Sequence, residues 1–391
     1  MCNSFILGYG YCTNKEAVLT KEEKSKLPYG DLAIIALKSC AEIAKPIDEK
    51  LSNTRDESSH LISVEEVRFS NGEGKVVINE SIRGKDVYIL CDVGNYGCTY
   101  KMFGFENHYS PDDHLQDIKR ALSAIAGKAR RITLIMPLLY ASRQHRRKGR
   151  ESLDCALALQ EFERLGVKDI ITFDAHDPTI QNAIPLISFE NLHPTYKIIK
   201  ALVTEENLLD IKPENMVVIS PDTGAMDRAL YYSSNLGVDT GLFYKRRDHS
   251  KVVDGKNPIV QHDYLGRDVE GCNVLIVDDM IASGQSVFDI CNELKARGAK
   301  KIFVAVTFAL FTSGPDKFEE YYKKGLLDRV YATNLSYVPD HIKEAEWFRT
   351  VDMAGFTANV IDTLNHDESI SPLLDSTGLI RRLLNKNRSE S

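Results

Sequence analysis

Short apolar runs alternate with longer amphipathic stretches along most of the chain. Each run suits a buried strand, and helices fit between the runs. Strands that alternate with helices predict an α/β protein with a parallel sheet covered on both faces. The predicted strands lie at residues 32–37, 87–91, 132–136, 170–173, 217–220, 274–277 and 302–306.

The chain also repeats itself. The segment LQEFERLGVKDIITF at 159–173 aligns with CNELKARGAKKIFVA at 291–305, an offset of 132 residues. Each copy reads as a helix, a glycine cap and a strand, and 391 residues is long for a single core. We therefore expect an N-terminal extension at 1–30 and two α/β domains at 31–192 and 193–391, with a last helix that can pack back on the first domain.

Composition narrows the class of protein. With 43% hydrophobic and 27% charged residues the chain is typical of globular proteins, and a net charge of -7 argues against nucleic-acid or anionic-membrane binding. The longest apolar run, at 302–311, is too short to span a bilayer, and the N-terminus lacks a charged signal-peptide region. We expect a cytoplasmic protein. Its eight cysteines contain no CxxC pair, which indicates neither a disulfide framework nor a zinc site.

A basic loop follows the strand ITLIMP, at an edge where α/β proteins bind ligands. Most charge runs are solvated or bind nucleic acid. The acidic net charge and the absence of interleaved aromatic residues favour a loop that folds over a polyphosphate instead. Its cations are Arg143, Arg146, Arg147, Lys148 and Arg150.

An acidic loop follows the strand NVLIV in the second copy, and it suits a phosphorylated ribose. Asp278 and Asp279 can accept hydrogen bonds from the two sugar hydroxyls, while backbone N–H groups of 282–286 face the 5-phosphate. The same pair can instead cap the next helix. The predicted ribose 5-phosphate site comprises Asp278, Asp279, Ala282, Ser283, Gly284, Gln285 and Ser286.

Five segments in order resemble the ribose-phosphate diphosphokinase (PRPP synthetase) family. They are RFSNGE at 68–73, YASRQHRRKGRES at 140–152, FDAHDPTIQ at 173–181, SPDTGAMDRA at 220–229 with YKRR at 244–247, and VDDMIASGQS at 277–286. The resemblance implies two tandem type I phosphoribosyltransferase-like domains, each a mainly parallel sheet flanked by helices. It also implies an enzyme of nucleotide biosynthesis that transfers the diphosphoryl group of ATP to ribose 5-phosphate, giving PRPP and AMP.

The resemblance further implies a role for individual residues. Lys245 and Arg247 match the catalytic cations of the family, and His176 and Asp222 match residues at its Mg²⁺ site. The ATP site would comprise Arg143 and Gln144, together with Phe69, Asn71 and Glu73 from a neighbouring subunit, which implies a homo-oligomer. Without the resemblance, KRR is surface charge, Phe69 is a strand residue, and Asp222 caps a helix.

Several positions depart from the commonest family sequence. They are Asn71, His145, Ser152 and Ala282, and the segment 94–111 is longer than the corresponding family loop and has no assigned role. Two alternatives therefore stay open beside an active diphosphokinase. One is a catalytically silent homologue that binds the same ligands and regulates a partner. The other is a phosphoribosyltransferase that consumes PRPP.

Overall fold

The computed structural model describes residues 27–147, 149–205, 211–247 and 259–390, without the side chains of 245–247, 259–262 and 387–390. Residues 1–26 of the predicted extension and Lys148 of the basic loop lie outside this part. Two mainly parallel sheets flanked by helices confirm the predicted fold class. No helix among the described residues is long and apolar enough to cross a membrane.

Most strands of the first sheet are buried on both faces, and this burial explains their nearly continuous apolar sequences. The edge strand at Ser188–Leu192 is only partly buried. The elements of this part of the chain are β1 (Leu32–Ala36), α1 (Ala41–Arg55), β2 (Val64–Arg68), β3 (Gly74–Ile78), β4 (Asp86–Leu90), β5 (Thr99–Met102), β6 (Phe105–His108), α2 (Pro111–Ile125), β7 (Arg131–Ile135), α3 (Asp154–Arg164), β8 (Asp169–Phe173) and β9 (Ser188–Leu192). Among the described residues, the sheet is parallel in the order β1-β4-β7-β8-β9.

Two antiparallel hairpins, β2–β3 and β5–β6, lie outside this sheet. The sequence pattern did not predict their strands. Most of their side chains are exposed or only partly buried, so neither hairpin has the apolar run of a core strand.

The second sheet is larger and ends in an antiparallel edge strand. Its part of the chain contains α4 (Thr195–Glu205), β10 (Met216–Ser220), α5 (Met226–Leu236), β11 (Asp239–Arg247), β12 (Ile259–Leu265), β13 (Asn273–Ile281), α6 (Gln285–Ala296), β14 (Lys301–Ala309), α7 (Asp316–Lys323), β15 (Arg329–Thr333), α8 (Asp340–Lys343), β16 (Phe348–Val351), α9 (Ala354–Asn365), α10 (Ser371–Leu374) and α11 (Thr377–Glu390). In the described chain the order is β12-β11-β10-β13-β14-β15-β16, with β12 antiparallel to β11.

The repeat seen in the sequence corresponds to one structural unit in each sheet. The unit β7-α3-β8 in the first sheet matches β13-α6-β14 in the second, and in both the two strands are parallel neighbours. Gly166 and Gly298 follow the two helices with φ of 98° and 82°. Glycine suits both positions, because side chains disfavour this left-handed conformation.

The helix that packs on the first domain is α9. Its contact with α1 includes the buried ion pair between Arg55 Nη2 and Asp362 Oδ1 at 2.7 Å, and Asn365 Nδ2 donates to Asp86 Oδ2 at 2.8 Å. The last helix, α11, instead packs on α4 and α5, where Ile380 is fully buried. The apolar face of the described part of α11 completes a core with α4, α5 and the second sheet, rather than contacting α1 as α9 does. The boundary at residue 192 remains a prediction.

Candidate active site

A cavity of about 420 Å³ lies at the carboxyl ends of β10 and β13, with residues from both domains in its wall. Every residue of the predicted ribose 5-phosphate site lines it, and so do Arg143, His176 and Asp222. The basic and acidic loops, which are far apart in the sequence, thus meet at one place. Gln144, Phe69, Asn71 and Glu73 are not among the described residues in its wall.

The loop before α6 needs its glycine for two reasons. Gly284 has φ of 82°, and a Cβ atom there would lie 2.6 Å from Phe318 Cζ. A side chain would therefore strain the backbone and collide with a buried ring. The glycine brings the chain directly into α6, which begins at Gln285 on the cavity wall. The first N–H groups of a helix lack partners within the helix and attract anions.

The two carboxylates lie inside β13, which runs to Ile281, although the sequence predicted a strand that ends at residue 277. The Oδ1 atom of Asp279 accepts from the backbone N–H of Met280 at 2.8 Å, and Asp278 Oδ1 accepts from the N–H of Asp279 at 2.9 Å. The longer strand is held because its pairing with β14 continues to Ile281 and Ala309. Both carboxylates are therefore attached to rigid sheet.

The environments of Asp278 and Asp279 shift their pKa values in opposite directions. Burial and the neighbouring charge of Asp279 raise the pKa of Asp278. Burial also opposes the charge on Asp279, but hydrogen bonding from His176 and the charge of Arg228 lower its pKa overall. Asp279 is thus the permanently ionised member of the pair near neutral pH, while Asp278 depends on a neighbouring cation for its charge.

Arg228 is the cation between the carboxylates, and sequence analysis assigned it no role. Its Nη2 lies 3.3 Å from Asp174 Oδ1 and its Nη1 lies 3.8 Å from Asp278 Oδ1. Burial alone would lower the pKa of Arg228, yet Asp174, Asp279 and Asp278 raise it. A cation in the first turn of α5 is disfavoured by the helix dipole, so these carboxylates must hold it there.

Asp174 anchors this arginine from the other domain. It follows β8 with φ of 46°, a left-handed conformation that is uncommon for a residue with a side chain. It accepts from His193 Nδ1 at 2.8 Å and from the hydroxyl of Thr307. Although burial raises the pKa of this carboxyl, Arg228 and the hydrogen bonds hold it well below its usual range. Asp174 is therefore a buried anion that joins both domains.

His176 connects the domains directly, because its Nδ1 lies 2.8 Å from Asp279 Oδ2. This hydrogen bond raises the pKa of His176. A second histidine holds the basic loop: His145 Nδ1 donates to Ser142 O at 2.9 Å, and its Nε2 lies 3.1 Å from Asp177 Oδ2. The replacement noted at His145 thus has a structural partner, which the sequence did not indicate.

Asp222 caps a short turn as well as facing the cavity. Its Oδ1 accepts from the backbone N–H groups of Gly224 at 2.9 Å and Ala225 at 3.2 Å. This is the capping role that the sequence left open beside a metal-binding role. Among the described residues, no cluster of three or more His, Cys, Asp or Glu side chains has the arrangement of a metal site. A magnesium ion held largely by substrate and water needs no such cluster.

Gln144 lies in the basic loop, where its backbone N–H donates to Ala141 O at 2.7 Å. The other predicted residues lie on two antiparallel strand pairs. Phe69, Asn71 and Glu73 form the turn of β2–β3, where Phe69 is 49% exposed and Asn71 Nδ2 donates to Glu73 Oε2 at 3.0 Å. Lys245 and Arg247 belong to β11, which pairs with β10 only as far as Leu242 and then continues beyond the sheet edge with β12. The side chains of these two cations lie outside the described part of the chain.

Comparisons with known proteins cover both domains. A family model described as the N-terminal domain of ribose phosphate pyrophosphokinase matches residues 32–166, and a phosphoribosyl transferase domain model matches residues 188–335. The chain is 29% identical over 356 residues to the ribose-phosphate pyrophosphokinase of Chlorobaculum tepidum, covering 90% of this chain and 98% of that protein. It is 28% identical over 350 residues to the protein of the same name from Vibrio parahaemolyticus, covering 88% and 99%.

The fold matches as well. The crystal structure of phosphoribosylpyrophosphate synthetase from Mycobacterium smegmatis superposes with a TM-score of 0.70 and 22% sequence identity, covering 86% of this chain and 99% of that chain. The two domain models also follow each other in the order that the five sequence segments predict. The chain therefore belongs to the ribose-phosphate pyrophosphokinase family of transferases, as its sequence motifs predicted.

Proposed function

We propose that the protein is a ribose-phosphate diphosphokinase, which moves the β,γ-diphosphoryl group of ATP to the 1-hydroxyl of ribose 5-phosphate and releases AMP. One observation carries the proposal: the aspartate pair and the start of α6 share a cavity with Arg143 and His176 of the other domain. A sugar-phosphate site and a polyphosphate site must be adjacent for this transfer.

Ribose 5-phosphate binds along β13 and α6. The 5-phosphate accepts from the N–H groups of 282–286 and from the hydroxyls of Ser283 and Ser286, and the sugar hydroxyls donate to Asp278 and Asp279. Gln285 and Ala282 complete the loop around the phosphate. The rigid strand and the glycine at 284 support this arrangement, since they hold donors and acceptors in place before the sugar arrives.

ATP binds on the opposite wall. Arg143 holds phosphate oxygens, with Gln144 beside it, and His176 faces the diphosphoryl group from the end of the first sheet. The attacking 1-hydroxyl oxygen forms a bond to the β-phosphorus as the bond from that phosphorus to the α-phosphate oxygen breaks, and the hydroxyl proton is lost to solvent or base. Such transfers depend mainly on positioning and charge neutralisation. Lys245 and Arg247 supply positive charge. The part of β11 that carries them continues past the carboxyl end of β10, where the cavity lies.

Magnesium is the expected metal. The Asp222 carboxylate and the His176 ring nitrogen, both on the cavity wall, would hold the ion, since Mg²⁺ keeps several waters and takes few protein ligands. A nearby cation would also favour the ionised form of Asp278 beside Asp279. When bound, the metal offsets the negative charge of the phosphates. Asp222 already accepts hydrogen bonds from the backbone N–H groups of Gly224 and Ala225. Its role is therefore as much to shape the loop before α5 as to contact metal-bound water.

The adenine site is completed by a second copy of the chain. Phe69 would stack on the base, while Asn71 and Glu73 recognise its polar edge. Phe69 is exposed and is not among the described residues of the cavity wall, which supports this arrangement. A homo-oligomer in the cytoplasm is therefore part of the proposal.

The deciding experiment is incubation with ATP, Mg²⁺ and ribose 5-phosphate, followed by ³¹P NMR for PRPP and chromatography for AMP. AMP release that requires both the sugar phosphate and the metal is expected, and ribose without its phosphate serves as the matched control. Binding of both substrates without AMP release would instead support the silent regulatory homologue. Diphosphate release from PRPP and a nucleobase would support a phosphoribosyltransferase.

A further inference from the structure

The segment 94–111, to which sequence analysis assigned no role, forms the hairpin β5–β6 and stacks on the hairpin β2–β3. The backbone N–H of Phe103 donates to Ser70 O at 2.8 Å, so the two turns are joined tip to tip. Met102 packs beneath the turn so closely that a Cβ atom on Gly72 would lie 2.6 Å from its sulfur. The inserted hairpin therefore contacts the turn that carries Phe69.

Arg68, one residue before Phe69, is enclosed by the same insertion. Its guanidinium carbon lies 4.9 Å from the ring centroid of Tyr100 and 4.7 Å from that of Tyr109. On its other side it pairs with Asp113 Oδ1 at 3.2 Å and Asp117 Oδ2 at 3.0 Å, both from α2. Only 8% of the Arg68 side chain is exposed. Cation–π contacts are strong when the cation is withdrawn from water in this way.

The first residues of the segment 94–111 are held by contacts with both domains. Asn95 Nδ2 donates to Ser39 O at 2.8 Å, and the ring of His114 bonds to Asn95 O at the same distance. The ring of Tyr96 packs edge-on against Tyr337 of the second domain, with centroids 5.3 Å apart. The inserted hairpin is thus a braced element. The strands of β2–β3 pack on α2, and the inserted hairpin contacts the turn that projects from them.

We infer that the inserted hairpin β5–β6 is a positioning element for the adenine-binding turn 69–73, an inference that rests on the proposed function. Tyr100 acts through Arg68, and Met102 acts through the backbone of Gly72. Neither touches ATP. By holding the turn in one conformation before ATP binds, the insertion lowers the entropy lost when Phe69 and Glu73 engage the base.

The test compares Tyr100→Ala and Met102→Ala with the conservative variant Tyr100→Phe. Phe105→Ser is the matched control, because Phe105 lies on the same hairpin but is 74% exposed. Both alanine variants are expected to raise KM for ATP, by roughly tenfold for Tyr100→Ala where a desolvated cation–π contact is lost. KM for ribose 5-phosphate should stay within about twofold in every variant, since the sugar site is elsewhere. Tyr100→Phe should restore KM for ATP, because it keeps the ring.

Hydrogen–deuterium exchange of peptides covering 66–75 gives a readout that does not depend on activity. Exchange there should be faster in Tyr100→Ala and Met102→Ala than in the wild type, and unchanged in Phe105→Ser. Unchanged exchange and KM for ATP in both alanine variants, or an equal rise in both KM values, would overturn the inference. If the wild type releases no AMP, the proposed function fails, while the exchange result still decides whether the insertion orders the turn. If Tyr100→Ala does not fold, Met102→Ala decides alone.

Discussion

The ring nitrogen Nδ1 of His176 lies 2.8 Å from Oδ2 of Asp279, so side chains from the two domains share a hydrogen bond at the cavity wall. His176 follows β8 of the first sheet, and Asp279 lies within β13 of the second. The carboxylate that we assign to the sugar is therefore oriented by a residue from the domain to which we assign ATP. If both assignments are correct, this bond couples the geometry of the two substrate sites.

Removal of the charge on Asp279 should weaken sugar binding far more than ATP binding. We expect Asp279→Asn to raise KM for ribose 5-phosphate by about 10- to 150-fold, since a hydrogen bond to a charged group is worth roughly 1.5–3 kcal/mol. Steady-state kinetics with each substrate varied in turn would measure this. Asp227→Asn, at an exposed carboxylate on α5, is the control and should leave both KM values unchanged. Equal effects of Asp279→Asn on both substrates would contradict the assignment to the sugar.

The His176–Asp279 bond should make stability depend on pH in a defined direction. The pKa of His176 is raised above its ordinary value of 6.5, so its contribution is complete below that value and lost as pH rises through the raised pKa. The pKa of Asp279 is lowered, so the contribution also disappears as pH falls through that lower value. Urea denaturation across pH should show the largest difference between wild type and His176→Gln between about pH 4 and 6.5.

The exposed His341 on α8 offers a matched comparison for this pH series. His341→Gln should follow the wild type at every pH. A difference between wild type and His176→Gln that grows toward alkaline pH would rule out a stabilising charged histidine.

Arg228 should be essential for stability, because its loss leaves Asp174 and Asp278 without their shared cation. Breaking a fully buried ion pair by removing one partner typically costs roughly 3–5 kcal/mol. Because 17% of the Arg228 side chain is exposed, we expect Arg228→Met to lower the free energy of unfolding by less than this but by more than about 1 kcal/mol. The loss should shrink as pH falls and Asp174 becomes protonated, since Arg228 is the leading contact that depresses the pKa of Asp174. Arg228→Lys should recover part of it. Arg297→Met, at a surface ion pair, should cost less than about 1 kcal/mol.

Lys245 and Arg247 should act on the chemical step. If their charges stabilise only the transition state, Lys245→Ala and Arg247→Ala should each lower kcat by on the order of 10²–10³ with little change in either KM. Arg246→Ala, at the intervening position of β11, is the comparison variant. A rise in KM with kcat preserved would make the two residues ordinary substrate-binding cations.

A shared adenine site predicts that two inactive variants restore each other. Phe69→Ala removes the stacking residue from one subunit, and Lys245→Ala removes the catalytic cation from another. Mixed oligomers of the two should contain some sites with both residues intact, so mixing after mild dissociation should recover activity. A chain that carries both substitutions is the control, and it should recover nothing with itself. Persistent inactivity of mixed oligomers whose formation is verified would contradict a shared site.

The sequence by itself determined the framework of the protein. Strands buried on both faces, such as β4 and β10, have mostly apolar sequences, because helices cover both faces of the sheet. The duplicated helix-glycine-strand unit revealed the second sheet. Local chemistry also predicted a role for Asp278, Asp279 and the glycine at 284, because adjacent carboxylates and a small-residue loop stand next to each other in the chain, and all three residues line the cavity.

The tertiary structure alone decided which distant side chains meet. Nothing near Arg228 in the sequence indicates that Asp174, which comes from the other domain, lies 3.3 Å from its guanidinium. The same holds for His145 with Asp177 and for Tyr100 with Arg68, because each pair depends on how loops and ribbons pack. The hairpin β5–β6 has no apolar run, because its strands are exposed or only partly buried and do not form part of a hydrophobic core. The local pattern of apolar residues predicts which side chains of one strand or helix are buried. The charge network of the site, by contrast, forms only where the two folded domains meet.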